Sequence, residues 1–563
     1  MKKIFFTIAL IATTISFAQS LESKIPSTAK IVIAVDGGKL FDLVSLSEFE
    51  NYEVIQYLIK QVKKQREQVN SIADFGIDIN AKAYYFYQPT DSIMYHSGLM
   101  KLTDRKAFEK MFDEKETSKI VKKGNINTFV DDEVTLMWND NIVLFSNGMD
   151  SYWYFDANRE RFEAQANDDE DFYGIKKRLS SAWNANYAKQ LFNYNGASIL
   201  SNQSYLKSKD NKASATLWIG NYGGMVSDIM KSSFYYAYAM SNSDFMNYNK
   251  MGFGSVVAQL YFEEEKARIT SKMEIDDKWK KAFQRIYSSK LDRSFFKYFN
   301  EDDALAYMSI AMDTEAVLDE YPKLMPEMYG GMLPQYREET SVALDLFSVI
   351  VDEEAVGELV TGDMLFILND IIEKDITYTT YEYDDDYNET EVTKTKKEAS
   401  PDFTIIVGSE NEKLLFKLIR LGVKHEAFET KKNYYKLNLP SKTPFDLFAV
   451  IKDEKIFLTT SEKRLTDIVS NRFVAKSGLH KKLIRKNSSV VYMNLDNLIS
   501  KIPESELSKD EKKFAVYAKD NLKDAYLTGK MKGNVIYSEL VLETAKNRKN
   551  SLKVLLDFLE FVD

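Results

Sequence analysis

The chain of 563 residues contains no cysteine. It therefore forms no disulfide and no thiolate metal site, and it lacks the lipid-carrying cysteine that anchors bacterial lipoproteins. A hydrophobic core alone must hold the fold together. Because 44% of the residues are hydrophobic, a chain of this length can bury enough apolar surface for more than one domain.

Histidine is also scarce, and His96, His425 and His480 each stand alone in their neighbourhoods. A Ser–His–acid triad usually places its serine within Gly-x-Ser-x-Gly, which residues 252–255 do not match. His-Glu-x-x-His, a common zinc motif, does not occur. We predict no catalytic residue, no cofactor and no metal site. The 85 acidic residues leave one enzymatic alternative open, an envelope glycan hydrolase whose carboxylate pair the sequence does not identify.

Basic residues are fewer than acidic residues, and the net charge is -10. Nucleic-acid binding needs a basic face, so we predict no nucleic-acid partner. Beyond the first twenty residues no apolar run reaches the roughly 20 residues of a transmembrane helix. We therefore predict that the mature chain has no membrane-spanning segment.

The first eighteen residues have the pattern of an export signal. Lys2 and Lys3 precede an apolar stretch over residues 4–15, and Ser16-Phe17-Ala18 places small residues where a signal peptidase cleaves. Cleavage after Ala18 would leave Gln19 as the new N-terminus. We expect export to the periplasm, with the cell surface or secretion as alternative destinations.

A short apolar strand that ends in a polar turn and continues as an amphipathic run occurs four times, at residues 30–40, 213–225, 304–314 and 489–497. The first and third copies are separated by roughly 275 residues, as are the second and fourth, which indicates a duplicated module. The glycine pairs in two of these turns permit anion binding. The acids and Asn in the other two favour helix capping instead.

The repeats predict an α+β protein made of two tandem duplicated halves, each a mostly antiparallel sheet with helices packed on one face. The first half covers residues 19–295, with a helical insertion at about 156–194. The second covers residues 296–563, with a projecting hairpin at about 375–399, the arm. Its Thr and Tyr residues favour strands, and its opposing acidic and basic stretches suit cross-strand pairs.

Aromatic runs supply the candidate binding residues. Rings on both faces of one element cannot all face its own core, so part of each run is free for a partner or is buried between domains. We predict an envelope protein or a glycan as the partner. The candidate partner-binding residues are Phe234, Tyr235, Tyr236 and Tyr238 in one segment, and Tyr378, Tyr381 and Tyr383 on the arm.

Residues 25–29, Ile-Pro-Ser-Thr-Ala, lead into the first strand, and the strand pattern returns at residues 300–310. Together with the export signal, these features resemble a family of exported Bacteroidota proteins defined as a domain of unknown function. The resemblance covers most of the mature chain and brings no active site. Many members look like lipoproteins, from which this chain departs because it lacks the cysteine. We expect an exported envelope protein with a non-catalytic binding or scaffolding role.

Overall fold

A computed structural model describes residues 20–65, 69–150, 152–167, 170–226, 252–329, 337–383, 389–440, 443–476, 478–503, 507–546 and 550–560. The expected export signal and four candidate residues, Phe234, Tyr235, Tyr236 and Tyr238, lie outside these ranges. The chain divides into two compact units, Met1–Tyr261 and Phe262–Asp563.

The first unit is built on nine strands. They are β1 Ile31–Asp36, β2 Lys82–Pro89, β3 Ile93–Lys101, β4 Val121–Lys123, β5 Ile126–Asp131, β6 Val134–Trp138, β7 Ile142–Asp150, β8 Ala215–Ile219 and β9 Phe253–Phe262. The helices are α1 Gly37–Phe41, α2 Leu46–Phe49, α3 Glu53–Gln65, α4 Arg105–Glu109, α5 Glu114–Thr117, α6 Tyr152–Ala157, α7 Arg159–Glu163, α8 Phe172–Phe192 and α9 Gln203–Ser208. Short 3₁₀ turns occupy Leu21–Lys24, Ile72–Phe75 and Ile199–Ser201.

The second unit has eleven strands. They are β10 Lys266–Ile275, β11 Ala306–Ala311, β12 Asp363–Tyr383, β13 Glu389–Gly408, β14 Phe428–Thr430, β15 Tyr435–Leu437, β16 Leu447–Lys452, β17 Lys455–Thr459, β18 Ser489–Asn494, β19 Leu522–Lys532 and β20 Val535–Thr544. The helices are α10 Asp277–Tyr287, α11 Thr314–Tyr329, α12 Arg337–Ile350, α13 Glu353–Leu359, α14 Glu412–Lys424, α15 Glu462–Val469, α16 Leu479–Lys486, α17 Leu495–Ser500, α18 Lys509–Asn521 and α19 Ser551–Leu559. Two 3₁₀ turns occupy Arg293–Tyr298 and Glu301–Asp303.

Neighbouring strands within each unit pair antiparallel. In the first unit the order is β9-β8-β1-β2-β3-β7-β6-β5-β4. In the second it is β10-β20-β19-β18-β11-β12-β13-β17-β16-β15-β14. Adding ten to each first-unit strand number reproduces the second-unit order from β19 to β14. The mostly antiparallel α+β architecture expected from the sequence is therefore present.

The four repeated turns share one hydrogen-bonding pattern. At each, an Asp or Asn at the end of the strand, or two residues after it, accepts a hydrogen bond from a backbone N–H three residues later, which caps the start of the next helical turn. The capping that the sequence favours is therefore present at these turns. The four capping residues, at the ends of β1, β8, β11 and β18, are Asp36, Asn221, Asp313 and Asn494.

Helices pack on both faces of each sheet, so the expectation of helices on one face is wrong. In the first unit Leu144 packs in a cluster with Leu191 of α8, whereas its neighbour Val143 packs with Phe108 of α4. Adjacent strand residues point to opposite faces, so α8 and α4 lie on opposite sides. In the second unit Tyr526, the cross-strand partner of Val541, packs against the cluster that contains Ile484 of α16, whereas Leu542, adjacent to Val541, contacts the cluster of α18 and α19.

The boundary between the units falls before β10, whereas the sequence placed it near residue 295. The reason is strand pairing. Strand β10 pairs with β20, near the C-terminus, along the register from Lys266↔Glu543 to Glu274↔Val535. Residues 266–275 therefore belong to the second unit by contact. No short sequence pattern predicts this pairing between distant segments.

The arm is formed by the outer parts of β12 and β13. Beyond a register shift between Leu368 and Asp370, the two strands pair with each other from Asp370↔Asp402 to Tyr383↔Glu389. In the same strands, pairing to the adjacent sheet strands involves only residues 363–368 of β12 and 404–408 of β13. The arm is therefore a two-stranded ribbon that extends from the sheet.

Candidate functional site

One face of the second-unit sheet carries a continuous row of apolar side chains. Each member is the direct cross-strand partner of the next, so the row runs across eight neighbouring strands on one face. We call these residues the apolar row. In order from β10 to β17 they are Ile269, Leu540, Leu527, Val491, Met308, Phe366, Ile405 and Leu458.

The apolar row is open to solvent. Ile269, Leu540 and Leu527 are 43%, 43% and 45% exposed, and the other five members are partly exposed. The residues beside them in sequence face the opposite way and are buried, for example Leu365 and Ile406 at 0% exposed. The sheet thus has a covered core face and an apolar face that its own helices leave partly uncovered.

The rows on either side of the apolar row carry no charged side chain. On one side are Ala267, Leu542, Ala525, Met493, Ala306, Leu368 and Phe403. On the other are Ser271, Ser538, Gly529, Ser489, Ile310, Met364, Val407 and Ile456. An exposed apolar surface of this extent is typical of a binding face.

The corresponding face of the first unit is interrupted by polar groups. The Tyr85 hydroxyl lies 2.7 Å from Nδ1 of His96, and Asn147, paired with His96 across the strands, has a buried side-chain oxygen with no hydrogen-bond partner. Burial lowers the pKa of His96. Toward β5 the face is covered, because Leu136 packs against the cluster of α4.

The arm separates its candidate tyrosines. Tyr378 and Tyr381 are 38% and 56% exposed. They are three residues apart on one strand, so their rings project from opposite faces of the ribbon. The backbone of Tyr383 pairs with Glu389, and its side chain lies outside the described part of the chain. The two described rings therefore do not form one aromatic platform.

A second candidate is a polar cleft of about 670 Å³ at the end of the second-unit sheet. Three separate segments meet there: the turn before β11, the start of α14 and the β16–β17 turn. We call this the polar cleft. Its lining residues are Ser294, Lys297, Glu410, Asn411, Glu412, Lys413, Asp453, Glu454 and Lys455.

The base of the polar cleft contains a buried lysine. Lys455 is 4% exposed, and its Nζ donates to the backbone oxygen of Asp453 at 2.9 Å and lies 5.0 Å from the centre of the Phe295 ring. Across the sheet Lys455 pairs with Gly408 of β13. The preceding residue on that strand, Val407, pairs with Met364 of β12. A Cβ on Gly408 would lie 3.6 Å from the Phe295 ring and 2.3 Å from the Thr361 hydroxyl, so glycine keeps this space open.

Burial shifts the titration of two groups here in opposite directions. It lowers the pKa of Lys455, and it raises the pKa of Asp363 to about 6, because burial disfavours the charged form of both. Asp363 also accepts a hydrogen bond from the backbone N–H of Asp292 at 2.9 Å, which acts against the rise. The side chain of Asp292 accepts the Ser294 hydroxyl, which lowers the pKa of Asp292.

The polar cleft gives little support to glycan hydrolysis. Its described lining consists of Ser, Asn, Lys, Asp and Glu, with no aromatic ring on which a sugar could stack. Two of its carboxylates already have partners, since Asp453 accepts the Tyr298 hydroxyl at 2.6 Å and Glu412 accepts the Glu454 N–H at 3.0 Å. Among the described residues, no cluster of three His, Asp or Glu side chains is arranged to hold a metal ion.

The sequence did not reveal either site. The apolar row was present only as alternate apolar residues in separate strands, a pattern that equally fits a buried sheet face. The polar cleft depends on three segments that are far apart in sequence. Only Lys455, a lysine at the start of an apolar strand, hinted at an unusual environment.

Among the helices that the structure describes, none is both long enough and apolar enough to cross a bilayer.

No family model and no curated protein matches this chain. Three solved crystal forms of TP0453 are similar to it. Form IV is 9% identical, with a TM-score of 0.25, over 47% of this chain and 84% of that one. Form III is 9% identical, with a TM-score of 0.25, over 48% and 88%. Form I is 9% identical, with a TM-score of 0.24, over 46% and 80%. Similarity at this level assigns the chain to no family.

Proposed function

We propose that this protein is an exported, non-catalytic binding protein of the cell envelope, whose apolar row receives an aliphatic surface of a protein partner. The observation that carries the proposal is the open, charge-free sheet face around Leu527 and Leu540. The export signal at residues 1–18 and the absence of cysteine support a periplasmic location for the mature chain.

The size of the face favours a protein over a small ligand. Eight strands at about 4.8 Å spacing and three rows of side chains give a face on the order of 700 Å². A stable protein interface needs about 800 Å² from each partner. The face is also open rather than enclosed, whereas pockets for small molecules bury most of the ligand.

The chemistry of the face favours a protein over a glycan partner. Sugar recognition needs many hydrogen-bonding groups and aromatic rings. The apolar row supplies aliphatic side chains and the ring of Phe366, and the rows beside it add Phe403 and a few serine hydroxyls. An aliphatic protein surface can exclude water from this face at about 25 cal/mol per Å² buried. The arm, with Tyr378 and Tyr381 exposed, offers the same partner a polar contact.

We also propose that the two units derive from one duplicated module. The shared strand order and the four Asp or Asn caps after β1, β8, β11 and β18 support this interpretation. In this view one copy has kept a histidine and an asparagine on its sheet face, and the other has a central row of apolar side chains with no charged residue beside it. Binding would then belong to the second unit.

A photo-crosslinking amino acid at Leu527 tests the proposal, with the same group at Val516 as the matched control. Both residues are well exposed, at 45% and 64%, but Val516 lies on α18, outside the apolar row. We expect a partner that crosslinks from position 527 and not from 516. The purified partner should bind Leu527→Lys at least tenfold more weakly than wild type and bind Val516→Lys normally. Recovery of lipid alone from position 527, or equal binding by both variants, would overturn the proposal.

A further inference from the structure

The polar cleft holds a buried cation that the protein itself leaves incompletely satisfied. An ammonium group has three N–H donors. For Lys455 the described structure provides one hydrogen-bond acceptor, the Asp453 carbonyl, together with the face of the Phe295 ring. It provides no carboxylate within 4.0 Å in the described residues. A buried charge without an anionic partner is costly, so this arrangement calls for a ligand.

The charges of Asp292, Asp453 and Glu454 favour the charged form of Lys455 against the effect of burial, but none of these carboxylates forms an ion pair with it within 4.0 Å. Asp292 is engaged by Ser294, and Asp453 accepts the Tyr298 hydroxyl. Asp363 lies on β12, two strands away from Lys455, and makes no ion pair with it within 4.0 Å; the charge of Lys455 acts against the rise in the pKa of Asp363. The two remaining N–H groups of Lys455 are therefore available to a bound anion.

The start of helix α14 adds further donors to the same cleft. The Asn411 side chain caps the helix by accepting the Leu414 N–H at 3.0 Å. The first N–H groups of a helix have no acceptor within the helix, and Glu412 and Lys413, the first two residues of α14, both line the cleft. The positive end of the helix dipole and the Lys413 side chain both favour negative charge at this point.

The rim of the polar cleft also carries negative charge. Glu410 and Glu454 line the polar cleft next to Lys297 and Lys413, so cations and anions alternate around it. A multiply charged anion such as phosphate would be repelled by these carboxylates. A ligand that carries an ammonium group close to its carboxylate would match both sets of charges.

We propose that the polar cleft binds a zwitterionic amino acid or a short peptide, with its carboxylate on Lys455 and the N-terminus of α14 and its ammonium group on Glu410 and Glu454. This site is separate from the apolar row, and it does not depend on the proposed protein partner. Binding here would make the protein sensitive to free amino acids or peptide fragments in its compartment.

Calorimetric titration of the purified mature chain tests the proposal with four probes: alanine, dialanine, acetate and inorganic phosphate. We expect saturable binding of alanine or dialanine. Acetate, which has the carboxylate but no ammonium group, should bind at least tenfold more weakly, and phosphate more weakly still. Tighter binding of phosphate than of either zwitterion, or no saturable binding of alanine and dialanine, would overturn the proposal.

Three variants assign the contacts. Lys455→Met keeps the length of the side chain but removes the charge, so it should lose at least tenfold in alanine affinity while its melting temperature holds or rises. Lys481→Met is the matched control, because Lys481 also lies over a core ring, Phe296, at 5.1 Å, but outside the polar cleft. It should bind alanine like wild type.

Glu410→Gln is a second variant that does not alter the core. It should weaken alanine binding and leave acetate binding unchanged, because only alanine carries the ammonium group. If Lys455→Met fails to fold, this variant still decides the question. Alanine binding that is unaffected by Glu410→Gln, or by a folded Lys455→Met, would refute the assignment.

Discussion

At the residue scale, the burial of single polar groups sets the strongest constraints. Asp363 and Lys455 lie on either side of Gly408 at one end of the second-unit sheet, and burial disfavours the charged form of each. A lysine with few partners in a core costs stability unless a ligand or a solvent path compensates it. We interpret such a position as functional because packing alone would favour an apolar residue there.

The pKa of Asp363 predicts a specific pH dependence of stability. Because its pKa is about 6 when folded and 3.8 in the unfolded chain, the folded protein binds the proton more tightly. The stabilisation is present at low pH and is lost as the pH rises from about 4 to about 6. After allowance for solvent screening, we expect wild type to lose about 1–2 kcal/mol relative to Asp363→Asn over this range.

Urea denaturation of both proteins at pH 4 and pH 7 measures this difference. Comparing the variant with wild type cancels the other titrating groups, among them Glu543, whose pKa is also raised by burial. A difference between the two proteins that does not change with pH would show that folding does not shift the pKa of Asp363.

At the element scale, helix α8 shows how a polar contact positions a helix on a sheet. Asn184 is fully buried, and its amide nitrogen donates to the backbone oxygens of Glu133 and Ser146 at 2.7 and 3.0 Å. Its side-chain oxygen accepts the Ser146 hydroxyl at 2.7 Å. The side chain therefore ties α8 to β6 and β7 at one register.

Replacing this residue should destabilise the first unit. Asn184→Ala removes these three hydrogen bonds and leaves the buried Ser146 hydroxyl without its acceptor, so we expect a loss of about 2–4 kcal/mol in the free energy of unfolding. Lys177 lies on the same helix as Asn184 and makes an exposed ion pair with Asp132 at 3.0 Å. Lys177→Ala removes this pair and should cost less than about 1 kcal/mol. Chemical denaturation followed by tryptophan fluorescence compares them. Equal losses would argue against a positioning role for Asn184.

The arm differs from α8, because it is held by pairs between its own two strands. Its ion pairs, such as Glu382 with Lys394 at 2.6 Å, are exposed and contribute little. Replacing residues 374–398 with an Asn-Gly turn should therefore change the melting temperature by less than about 2 °C. Scanning calorimetry measures this. A larger fall would mean that the arm contributes to folding and is not only a binding element.

At the scale of the whole molecule, the chain repeats one strand order in two units and differs between them in surface chemistry. The face of the first unit contains the Tyr85–His96 pair and the buried oxygen of Asn147, and that of the second is aliphatic across eight strands. A shared topology thus supports two different surfaces. The proposed binding role therefore depends on the side chains of the second-unit sheet, because the strand order is shared by both units.

Export is the prediction that belongs to this scale. Protein recovered from the periplasmic fraction should begin at Gln19, because cleavage after Ala18 removes the signal. Intact mass spectrometry reads the N-terminus directly, and Ala18→Arg should block cleavage and leave the precursor in the membrane fraction. A mature protein that retains Met1 would contradict the proposed location.

The sequence by itself determined the local structure and the excluded chemistry. The absence of cysteine, the low number of histidines and the period of apolar residues act within short segments, so they predict strands, caps and excluded sites without knowledge of the fold. Asp36 and Asp313 cap the turns after their strands, as their side chains dictate.

The tertiary structure decided which side chains share a surface. Ile269 and Leu458 lie in one row only because β10 pairs with β20 and β13 pairs with β17, and these pairings join distant parts of the chain. The polar cleft likewise exists only where three segments meet around Lys455. Long-range pairing is set by the packing of the whole core, and a local pattern cannot encode it.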